Sequence, residues 1–362
     1  MKSNKLLTIL AGISFLLYGC GDEVDDTPGP ATGSPSANSP GAWSVPIGQV
    51  IDGGPGKDGI PALENPKFVD PNEIDYLLDD ELVVGYKFND VVRAYPHNIF
   101  NWHEIVNDDI GGHKMAITHC PLTGTSVGWE RVFDGHATTF GVSGLLYNTN
   151  LMPYDRESNS TWTQQGLKCV NGPLKGTSPE TFQIFETTWA TWKIMYPDTK
   201  VISRDTGYDR FYESYPYANY RSSDGLIFSV SVNDNRLHKK ERVHGVIIRG
   251  GAKVYRFQSF ENTPIIYDTF KNENIVVIGS VEKNFIISFK EKTINDTVLE
   301  FTAINDFESA DILKDQLGNT WDVFGNATTG PNVGEKLVAT ESFIGMFFSW
   351  APFYGLPEIY LE

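Results

Sequence analysis

Glu81 to Phe100 reads ELVVGYKFNDVVRAYPHNIF, and Glu241 to Phe260 reads ERVHGVIIRGGAKVYRFQSF. The two stretches align without a gap at a constant offset of 160 residues, and they share Glu, Val, Gly, Tyr and Phe at matching positions. Further matches follow in the same order with small gaps: Ile105 and Ile265, Asp108 and Asp268, Asp155 and Asp315, Trp162 and Trp321, Gly166 and Gly325, and Gly172-Pro173 and Gly330-Pro331. Self-similarity at a fixed offset predicts two diverged copies of one unit, at residues 81–200 and 241–362.

Within both copies, short runs of β-branched and aromatic residues alternate with turn-forming residues. The clearest runs are Leu82 to Phe88, Lys114 to Thr118 and Ile275 to Ile278. Alternation with a period of two, bounded by Gly, Asn and Asp, is typical of antiparallel strands. The expected fold class is therefore mostly β, a β-rich α+β protein in which the two copies pack together.

Few helices are expected, and the clearest spans Thr187 to Tyr196. Trp189, Trp192 and either Met195 or Tyr196 share one face of that segment, and Pro197 ends it.

Two segments outside the copies differ from them in composition. Residues 42–80 are rich in Gly, Pro and Asp, which favours an extended lead-in rather than a separate domain. Residues 201–240 form a polar connector between the copies that is rich in tyrosine.

The N-terminus carries the pattern of an exported lipoprotein. Lys2 and Lys5 precede an apolar run from Leu6 to Tyr18, which is too short to span a bilayer but suits a signal peptide at residues 1–19. The run ends at Gly19-Cys20, which resembles the bacterial lipobox, so we expect Cys20 to be acylated and to anchor the protein in a lipid bilayer. An ordinary secretory signal with an incidental Cys20 is the alternative.

A flexible tether follows at residues 20–41, where an acidic run leads into a stretch rich in Pro, Ser and Gly. An acidic run directly after the lipid cysteine resembles the export signal of surface lipoproteins. The expected location is therefore the bacterial cell envelope, on the periplasmic or the cell-surface face of the outer membrane.

Charge and cysteine content exclude two classes of protein. The chain has 46 acidic and 29 basic side chains and a formal charge of −17, which argues against nucleic acid as a partner. Three cysteines in 362 residues are too few for the disulfide framework of a small secreted scaffold.

Four residues of the first copy are candidates for chemistry: His103, Glu104, His119 and Cys120. Imidazole, thiolate and carboxylate groups together can ligate zinc or copper. Alternatively, His119 can activate Cys120 as a catalytic thiolate. Neighbours on a strand point to opposite faces, so His119 and Cys120 converge only if a turn or bulge re-aims one of them. Structural packing of a buried Cys and His remains the other interpretation.

The second copy supplies an internal comparison for these residues. At the offset of 160, His103 and Glu104 face Thr263 and Pro264, and His119 and Cys120 face Gly279 and Ser280. The second copy keeps Gly, Tyr, Phe and Trp positions and loses all four reactive side chains, which favours a specialised role for the first copy.

Further residues are candidates for lining a ligand site near these four, and they are Trp102, Tyr147, Asn148, Asp155 and Arg156. For Asp155 and Arg156, a pair that braces a loop is the competing interpretation. The sequence leaves open whether the protein is an enzyme or a non-enzymatic surface module that binds a small molecule, a glycan or a protein.

At these same residues the chain resembles a bacterial family catalogued as domain of unknown function 3179. The matching segments are Asp58-Gly59-Ile60-Pro61-Ala62, Ala94-Tyr95-Pro96, Asn101 to Asp108, Thr139 to Asn148, Tyr154-Asp155-Arg156, Ser160-Thr161-Trp162, Gly172 to Gly176, and Thr188-Trp189 through Pro197-Asp198-Thr199. The resemblance covers most of residues 58–260. It implies an exported protein with no established activity.

One departure from the family pattern concerns the cysteines. Members usually carry Cys-Pro-Leu-Cys-Gly, whereas this chain has Cys120-Pro121-Leu122-Thr123-Gly124, so a two-cysteine redox or chelating loop is absent. An inactive, degenerate member is therefore a further possibility. Cys169 lies where the family does not usually place cysteine, which makes it a candidate disulfide partner for Cys120 outside the cytoplasm.

Overall fold

In a computed structural model, the structure describes residues 43–304 and 308–361. The predicted signal peptide, lipidation site and tether lie outside these ranges. The described residues form thirty mostly short strands and three short α-helices, which confirms the expected β-rich class. Within the described residues, no helix is long and apolar enough to cross a membrane.

The first half, residues 43–202, contains seventeen strands and two α-helices. In chain order they are β1 (Val50–Asp52), β2 (Leu63–Glu64), β3 (Phe68–Val69), β4 (Leu82–Phe88), β5 (Val91–Pro96), α1 (His97–His103), β6 (Ile105–Ile110), β7 (His113–Cys120), β8 (Thr125–Glu130), β9 (Val132–Phe133), β10 (His136–Ala137), β11 (Phe140–Tyr147), β12 (Asn150–Asp155), β13 (Thr161–Thr163), β14 (Lys168–Asn171), β15 (Thr181–Phe182), β16 (Phe185–Thr188), α2 (Trp189–Met195) and β17 (Lys200–Ile202).

The second half, residues 241–361, contains the other thirteen strands and one α-helix. They are β18 (Arg242–Ile248), β19 (Gly251–Arg256), β20 (Ile265–Phe270), β21 (Glu273–Ser280), β22 (Phe285–Lys290), β23 (Thr293–Ile294), β24 (Thr297–Val298), β25 (Phe301–Ala303), β26 (Asp311–Asp315), β27 (Thr320–Asp322), β28 (Ala327–Thr329), β29 (Glu341–Met346), α3 (Ala351–Tyr354) and β30 (Glu358–Ile359). Short 3-10 turns occur at Ile47–Gln49, Pro71–Glu73, Tyr220–Ser222, Phe257–Phe260 and Phe347–Ser349.

The local predictions hold where the sequence pattern is strongest. The predicted strands at Leu82 to Phe88, Lys114 to Thr118 and Ile275 to Ile278 fall within β4, β7 and β21. Helix α2 begins at Trp189, two residues after the predicted start, because the Thr188 side chain caps it by accepting a hydrogen bond from the Thr191 backbone N–H. Both of its tryptophans are buried, as the shared face predicts.

Strands of the lead-in complete the sheets of the first half. The strand orders are β1-β11-β12-β13-β14, β15-β8-β7-β6-β2 and β16-β4-β5-β17-β3, so β1, β2 and β3 occupy sheet edges. The lead-in is therefore integrated with the first half, as expected for a segment that is not a separate domain. Strand β17 pairs in parallel with β5, and the other pairs in that sheet are antiparallel.

The second half shows the same succession of strands as the first. Its larger sheets are β29-β18-β19-β30, β20-β21-β22 and β25-β26-β27-β28. Equivalent contacts recur at the predicted offset: the Tyr95 hydroxyl donates to Asp108 over 2.6 Å, and the Tyr255 hydroxyl donates to Asp268 over 2.7 Å. The duplication itself stays a prediction. A duplicated unit is expected to show shared strand orders and shared contacts of this kind.

In each half, one glycine of a strand packs directly against a tryptophan ring. A Cβ added at Gly85 would lie 2.2 Å from the Trp192 ring, and one at Gly245 would lie 2.0 Å from the Trp350 ring. Both indoles are fully buried. Glycine is required at each position because the ring occupies the space of a side chain.

The halves pack against each other through their sheets. Strand β8 lies beside β29, and β16 lies beside β22. Across this interface the Met346 backbone N–H donates to the Thr123 carbonyl over 2.7 Å, and Arg242 donates to Glu186 over 2.7 Å. Residues 201 and 202 of the predicted connector belong to β17, and the remainder of the connector covers the first half, with the Tyr212 and Tyr220 side chains buried.

Candidate functional site

Glu104 occupies a strained and buried position at the end of α1. Its backbone φ is +56°, where a residue with a Cβ is uncommon, and its side chain is buried. The Tyr217 hydroxyl, from the connector, donates to Oε1 over 3.3 Å. Burial raises the pKa of Glu104 to about 8, against the opposing effect of the Tyr217 hydrogen bond. At neutral pH this side chain is therefore mainly a neutral carboxylic acid.

His119 and Cys120 are adjacent residues at the end of β7, paired with Ser126 and Thr125 of β8. The His119 ring packs against the rings of His97 and Phe100, with centroids 4.4 and 5.5 Å away. Cys120 instead belongs to the core cluster on the other side of the strand. The strand remains regular, so no turn or bulge brings the two side chains together.

Cys120 has the surroundings of an inert thiol. Its Sγ lies 3.6 Å from the carbonyl oxygen of Thr149, and burial raises the pKa of the thiol to about 11. The nearby Glu104 carboxyl adds to this upward shift of the Cys120 pKa. A catalytic cysteine needs a lowered pKa, so the surroundings oppose the predicted thiolate role.

The predicted disulfide is not formed in the structure, where Cys120 and Cys169 are both free and buried. The Cys169 Sγ lies 3.5 Å from the carbonyl oxygen of Thr161 and 3.4 Å from that of Asn171, within its own sheet. Burial raises the pKa of Cys169 to about 11 as well.

Neither thiol is expected to react with DTNB while the protein is folded, because both are buried and protonated. In the full chain carrying Cys20→Ala, two thiols should react only after guanidinium is added. Absorbance at the thionitrobenzoate band measures both states. If the denatured chain shows no free thiols, the prediction of a disulfide would be supported. If the folded chain reacts fast, the prediction of a reactive thiolate would be supported.

His103 is fully committed to structural hydrogen bonds. Its Nδ1 lies 2.8 Å from the Pro61 carbonyl oxygen, and its Nε2 lies 2.7 Å from the Tyr212 hydroxyl. Burial lowers the pKa of His103 to about 4. Among residues 43–304 and 308–361, no group of three or more His, Cys, Asp or Glu side chains is placed to hold a metal ion. The four predicted zinc or copper ligands therefore do not form such a group.

A buried imidazole that the sequence analysis missed lies beside His119. His97, the first residue of α1, stacks against it, and His97 Nε2 lies 3.3 Å from Oε2 of Glu186 on β16. Arg242, on β18, donates from Nη2 to Oε1 of Glu186 over 2.7 Å. Burial raises the pKa of Glu186, but the hydrogen bond from His97 and the charge of Arg242 outweigh it and bring this pKa to about 2. Glu186 is thus an ionised carboxylate that Arg242 neutralises.

One of the two imidazoles has a ring nitrogen without a hydrogen-bond partner. His119 Nδ1 lies 2.8 Å from the Ser126 hydroxyl, and Nε2 of His119 has no hydrogen-bond partner among the described residues, whereas Nε2 of His97 faces the Glu186 carboxylate. Burial lowers the pKa of His97 and places that of His119 well below its usual range, so both rings are neutral. An unsatisfied buried polar atom is costly, so this nitrogen favours the binding of a hydrogen-bonding group.

Arg221 of the connector completes the cluster, and its guanidinium is held in place. Nη2 donates to Oδ1 of Asn101 over 2.8 Å, and the guanidinium carbon lies 4.0 Å from the centroid of the Tyr215 ring. Its charge lowers the pKa of both His97 and His119, which shows that it lies near them. Within the described part of the chain Arg221 forms no ion pair, and its side chain is exposed. We call His97, His119, Glu186, Arg221 and Arg242 the imidazole site.

The five predicted ligand-lining residues do not surround this site. The Trp102 Nε1 donates to the Ser214 carbonyl over 3.2 Å, and the Tyr147 ring packs on Phe353. The Asn148 side chain accepts a hydrogen bond from the Ser231 backbone N–H over 2.7 Å. Each contact fixes a connector segment or the C-terminal region to the first half.

Asp155 and Arg156 have bracing contacts. Asp155 accepts a hydrogen bond from the Trp162 Nε1 over 3.1 Å, and Asp315 accepts one from Trp321 over 2.9 Å in the second half. Arg156 pairs with Asp58 and Glu64 of the lead-in over 3.0 and 2.8 Å. The presence of the Asp–Trp contact in both halves supports the structural interpretation of Asp155.

One sequence signal could have identified His97. At the offset of 160 it faces Phe257, so the comparison that singled out His103 and His119 applies to it equally. Glu186, Arg221 and Arg242 carry no such signal, because they come from three distant segments that only the tertiary fold brings together.

Comparison with known proteins supplies a family match alone. A family model described as protein of unknown function (DUF3179) matches residues 57–357, and thus extends through the second half of the chain. No curated protein matches the chain. No solved structure matches it either.

Proposed function

For this chain, which belongs to the DUF3179 family of proteins of unknown function, we propose the binding of a small anion at the imidazole site, by a lipoprotein of the bacterial cell envelope. The observation that carries the proposal is a guanidinium without a carboxylate partner among the described residues, whose charge acts on the buried His119 ring, where Nε2 lacks a hydrogen-bond partner. A carboxylate or phosphate group is the ligand that such donors recognise.

The charge balance of the site also favours an anion. Glu186 is neutralised by Arg242, and the raised pKa values of Glu104 and Cys120 keep both groups uncharged at neutral pH. Arg221 therefore contributes a positive charge that no described carboxylate cancels. In a chain of formal charge −17, this is a local exception that would select against cationic ligands.

Neutral imidazoles suit this role as hydrogen-bonding groups. When Nδ1 of His119 accepts a hydrogen bond from the Ser126 hydroxyl, Nε2 carries the ring proton and can donate a hydrogen bond to an anion. Binding without covalent chemistry agrees with the protonated state of Cys120 and favours the non-enzymatic interpretation of the sequence over a thiolate or metal centre.

Titration calorimetry with sodium phosphate and sodium acetate tests the proposal, with sodium chloride at equal ionic strength as the reference. We expect saturable heat from at least one of the two anions. Arg221→Gln and His119→Phe should each weaken binding about tenfold or more, since each removes a charge-assisted or buried hydrogen bond. Arg249→Gln is the matched control, because Arg249 is an exposed arginine of the second half.

Two results would contradict the proposal. One is the absence of saturable heat from both anions in the wild-type chain. The other is equal affinity in Arg221→Gln and Arg249→Gln, because any change in affinity would then be explained by the general loss of one positive charge.

We also propose that Cys20 anchors the protein in the bilayer. The proposal rests on Lys2, Lys5, the apolar run and the lipobox-like Gly19-Cys20, followed by a tether. In a bacterial host fed an alkyne analogue of palmitate, the wild-type chain should become labelled and enter the detergent phase. Cys20→Ala should do neither, and labelling that persists in this variant would assign the lipid to another residue.

A further inference from the structure

A cavity lies between the two halves and borders the imidazole site, with which it shares Glu186. Its volume is about 320 Å³, within the range of small-molecule pockets. Strands β8, β15 and β16 line it from the first half, and β18, β22 and β29 line it from the second. An occupant would therefore contact both halves at once.

The wall from the second half is a chain of buried hydroxyls that ends on an imidazole. His244 Nε2 lies 2.8 Å from the Ser288 hydroxyl, and Ser288 lies 2.6 Å from the Thr340 hydroxyl. Thr340 donates to the Ser342 hydroxyl over 3.0 Å. His244, Ser288 and Thr340 are each more than nine-tenths buried. Hydroxyls both donate and accept, so this wall matches a ligand that also does both.

His244 has an unused hydrogen-bonding nitrogen. Its Nδ1 has no hydrogen-bond partner in the described ranges, and the residue is 3% exposed. Burial lowers the pKa of His244 to about 3, so the ring is neutral. At the offset of 160 His244 faces Val84, which shows that the fold accepts an apolar side chain at this position. The polar ring is thus a feature of the second half alone.

The charged groups of the cavity wall leave little to attract a charged ligand. The Glu186 carboxylate is held by Arg242 over 2.7 Å, and the Lys290 ammonium lies 3.4 Å from Glu273. Glu341 is the remaining lining carboxylate, and its side chain is exposed. Phe182 and Phe343 add aromatic surface to the lining, which suits the apolar faces of a sugar ring.

We propose that this cavity binds a small uncharged polyhydroxylated molecule, of the class of monosaccharides and cyclic polyols. His244, Ser288, Thr340 and Ser342 form its hydrogen-bonding wall. The cavity borders the imidazole site at Glu186, but neither Arg221 nor His119 lines it, and its hydrogen-bonding wall comes from the second half.

Calorimetry on the full chain with D-glucose, N-acetyl-D-glucosamine and myo-inositol as probes tests this proposal. At least one probe should bind saturably, and gluconate and choline should bind at least tenfold more weakly than that probe. Thr340→Val removes one hydroxyl with little change of shape, and it should weaken binding at least tenfold. Thr329→Val is the matched control, because its exposed hydroxyl does not line the cavity.

His244→Val, which copies the residue of the first half, provides a second variant in case Thr340→Val folds poorly. It should also lose at least tenfold in affinity, with the circular dichroism spectrum unchanged. Arg221→Gln should keep wild-type affinity for the probe, which separates this result from that of the anion experiment. The proposal is overturned if none of the three probes binds, if gluconate or choline binds as tightly, or if both cavity variants bind like wild type.

Discussion

Replacing Glu104 by glutamine is expected to stabilise the protein at pH 9, relative to wild type, by on the order of 4 kcal/mol more than at pH 5. Glutamine has the shape of the neutral acid and keeps an oxygen for the Tyr217 hydroxyl, which lies 3.3 Å from Oε1. In the wild-type chain the buried acid must either ionise without a counter-charge or hold its proton against an alkaline solvent.

The direction of the effect follows from the raised pKa. The carboxyl of Glu104 titrates near 4.5 in the unfolded chain and at about 8 in the folded one. Its contribution to stability is fully present below pH 4.5 and is lost as the pH rises through 8, because the unfolded chain gives up the proton first. Four buried histidines have lowered pKa values and act oppositely in acid, so only the difference between variant and wild type isolates Glu104; they are His97, His103, His119 and His244.

Urea unfolding of both chains at pH 5, 7 and 9 measures this difference. Glu261→Gln is the matched control, since it makes the same chemical change at an exposed side chain and should shift stability equally at all three pH values. The stability gained by Glu104→Gln over wild type should grow between pH 5 and pH 9. If it does not, Glu104 ionises like an ordinary carboxyl, and the conclusion that it is neutral at pH 7 is wrong.

Alanine at Gly85 or at Gly245 is expected to destabilise the fold by about 3 kcal/mol in each case. The new methyl group would lie 2.2 Å from the Trp192 ring or 2.0 Å from the Trp350 ring, and neither buried indole has space to move. For a chain of this size the loss corresponds to a fall in Tm of about 4 °C, which calorimetry detects readily.

Gly225→Ala is the control, because a Cβ at Gly225 would meet no atom within 4 Å. The double variant Gly85→Ala/Trp192→Leu should recover part of the loss, since leucine vacates the contact. Similar losses at the two glycines are what a duplicated unit predicts. If only one of the two substitutions lowers stability, the close packing of glycine against tryptophan is required in one half only.

The fold class and many strands could be predicted because their signals are local. Leu82 to Phe88 is rich in β-branched and aromatic residues and ends at the turn residues Asn89-Asp90, and β4 spans these same residues. Helix α2 was predictable from the spacing of Trp189 and Trp192, with an error of two residues at its start. Its start was misplaced because Thr187 belongs to β16, and the capping by Thr188 is a side-chain hydrogen bond rather than a pattern.

The candidate site was only partly predictable, because its geometry is tertiary. The sequence singled out His119 and Glu104, but neither the φ of +56° at Glu104 nor the pairing of both His103 nitrogens has a local signature. Arg221 is a polar residue in an irregular connector, and only the contacts with Asn101 and Tyr215 reveal its role. Residue types alone therefore predicted a metal or thiolate site. In the structure, burial keeps these groups neutral, and the nearby charge is the guanidinium of Arg221.

The ion pair between Glu186 and Arg242 joins residues 56 positions apart, and this separation has a consequence during synthesis. At 5 to 20 residues per second, the ribosome adds Arg242 roughly 3 to 11 seconds after Glu186. Throughout that interval the first half carries a Glu186 carboxylate without its Arg242 partner, at a face that the second half has still to cover. Completion of the imidazole site is thereby tied to the synthesis of the second half, and a prematurely terminated chain would leave this interface exposed to quality-control proteases.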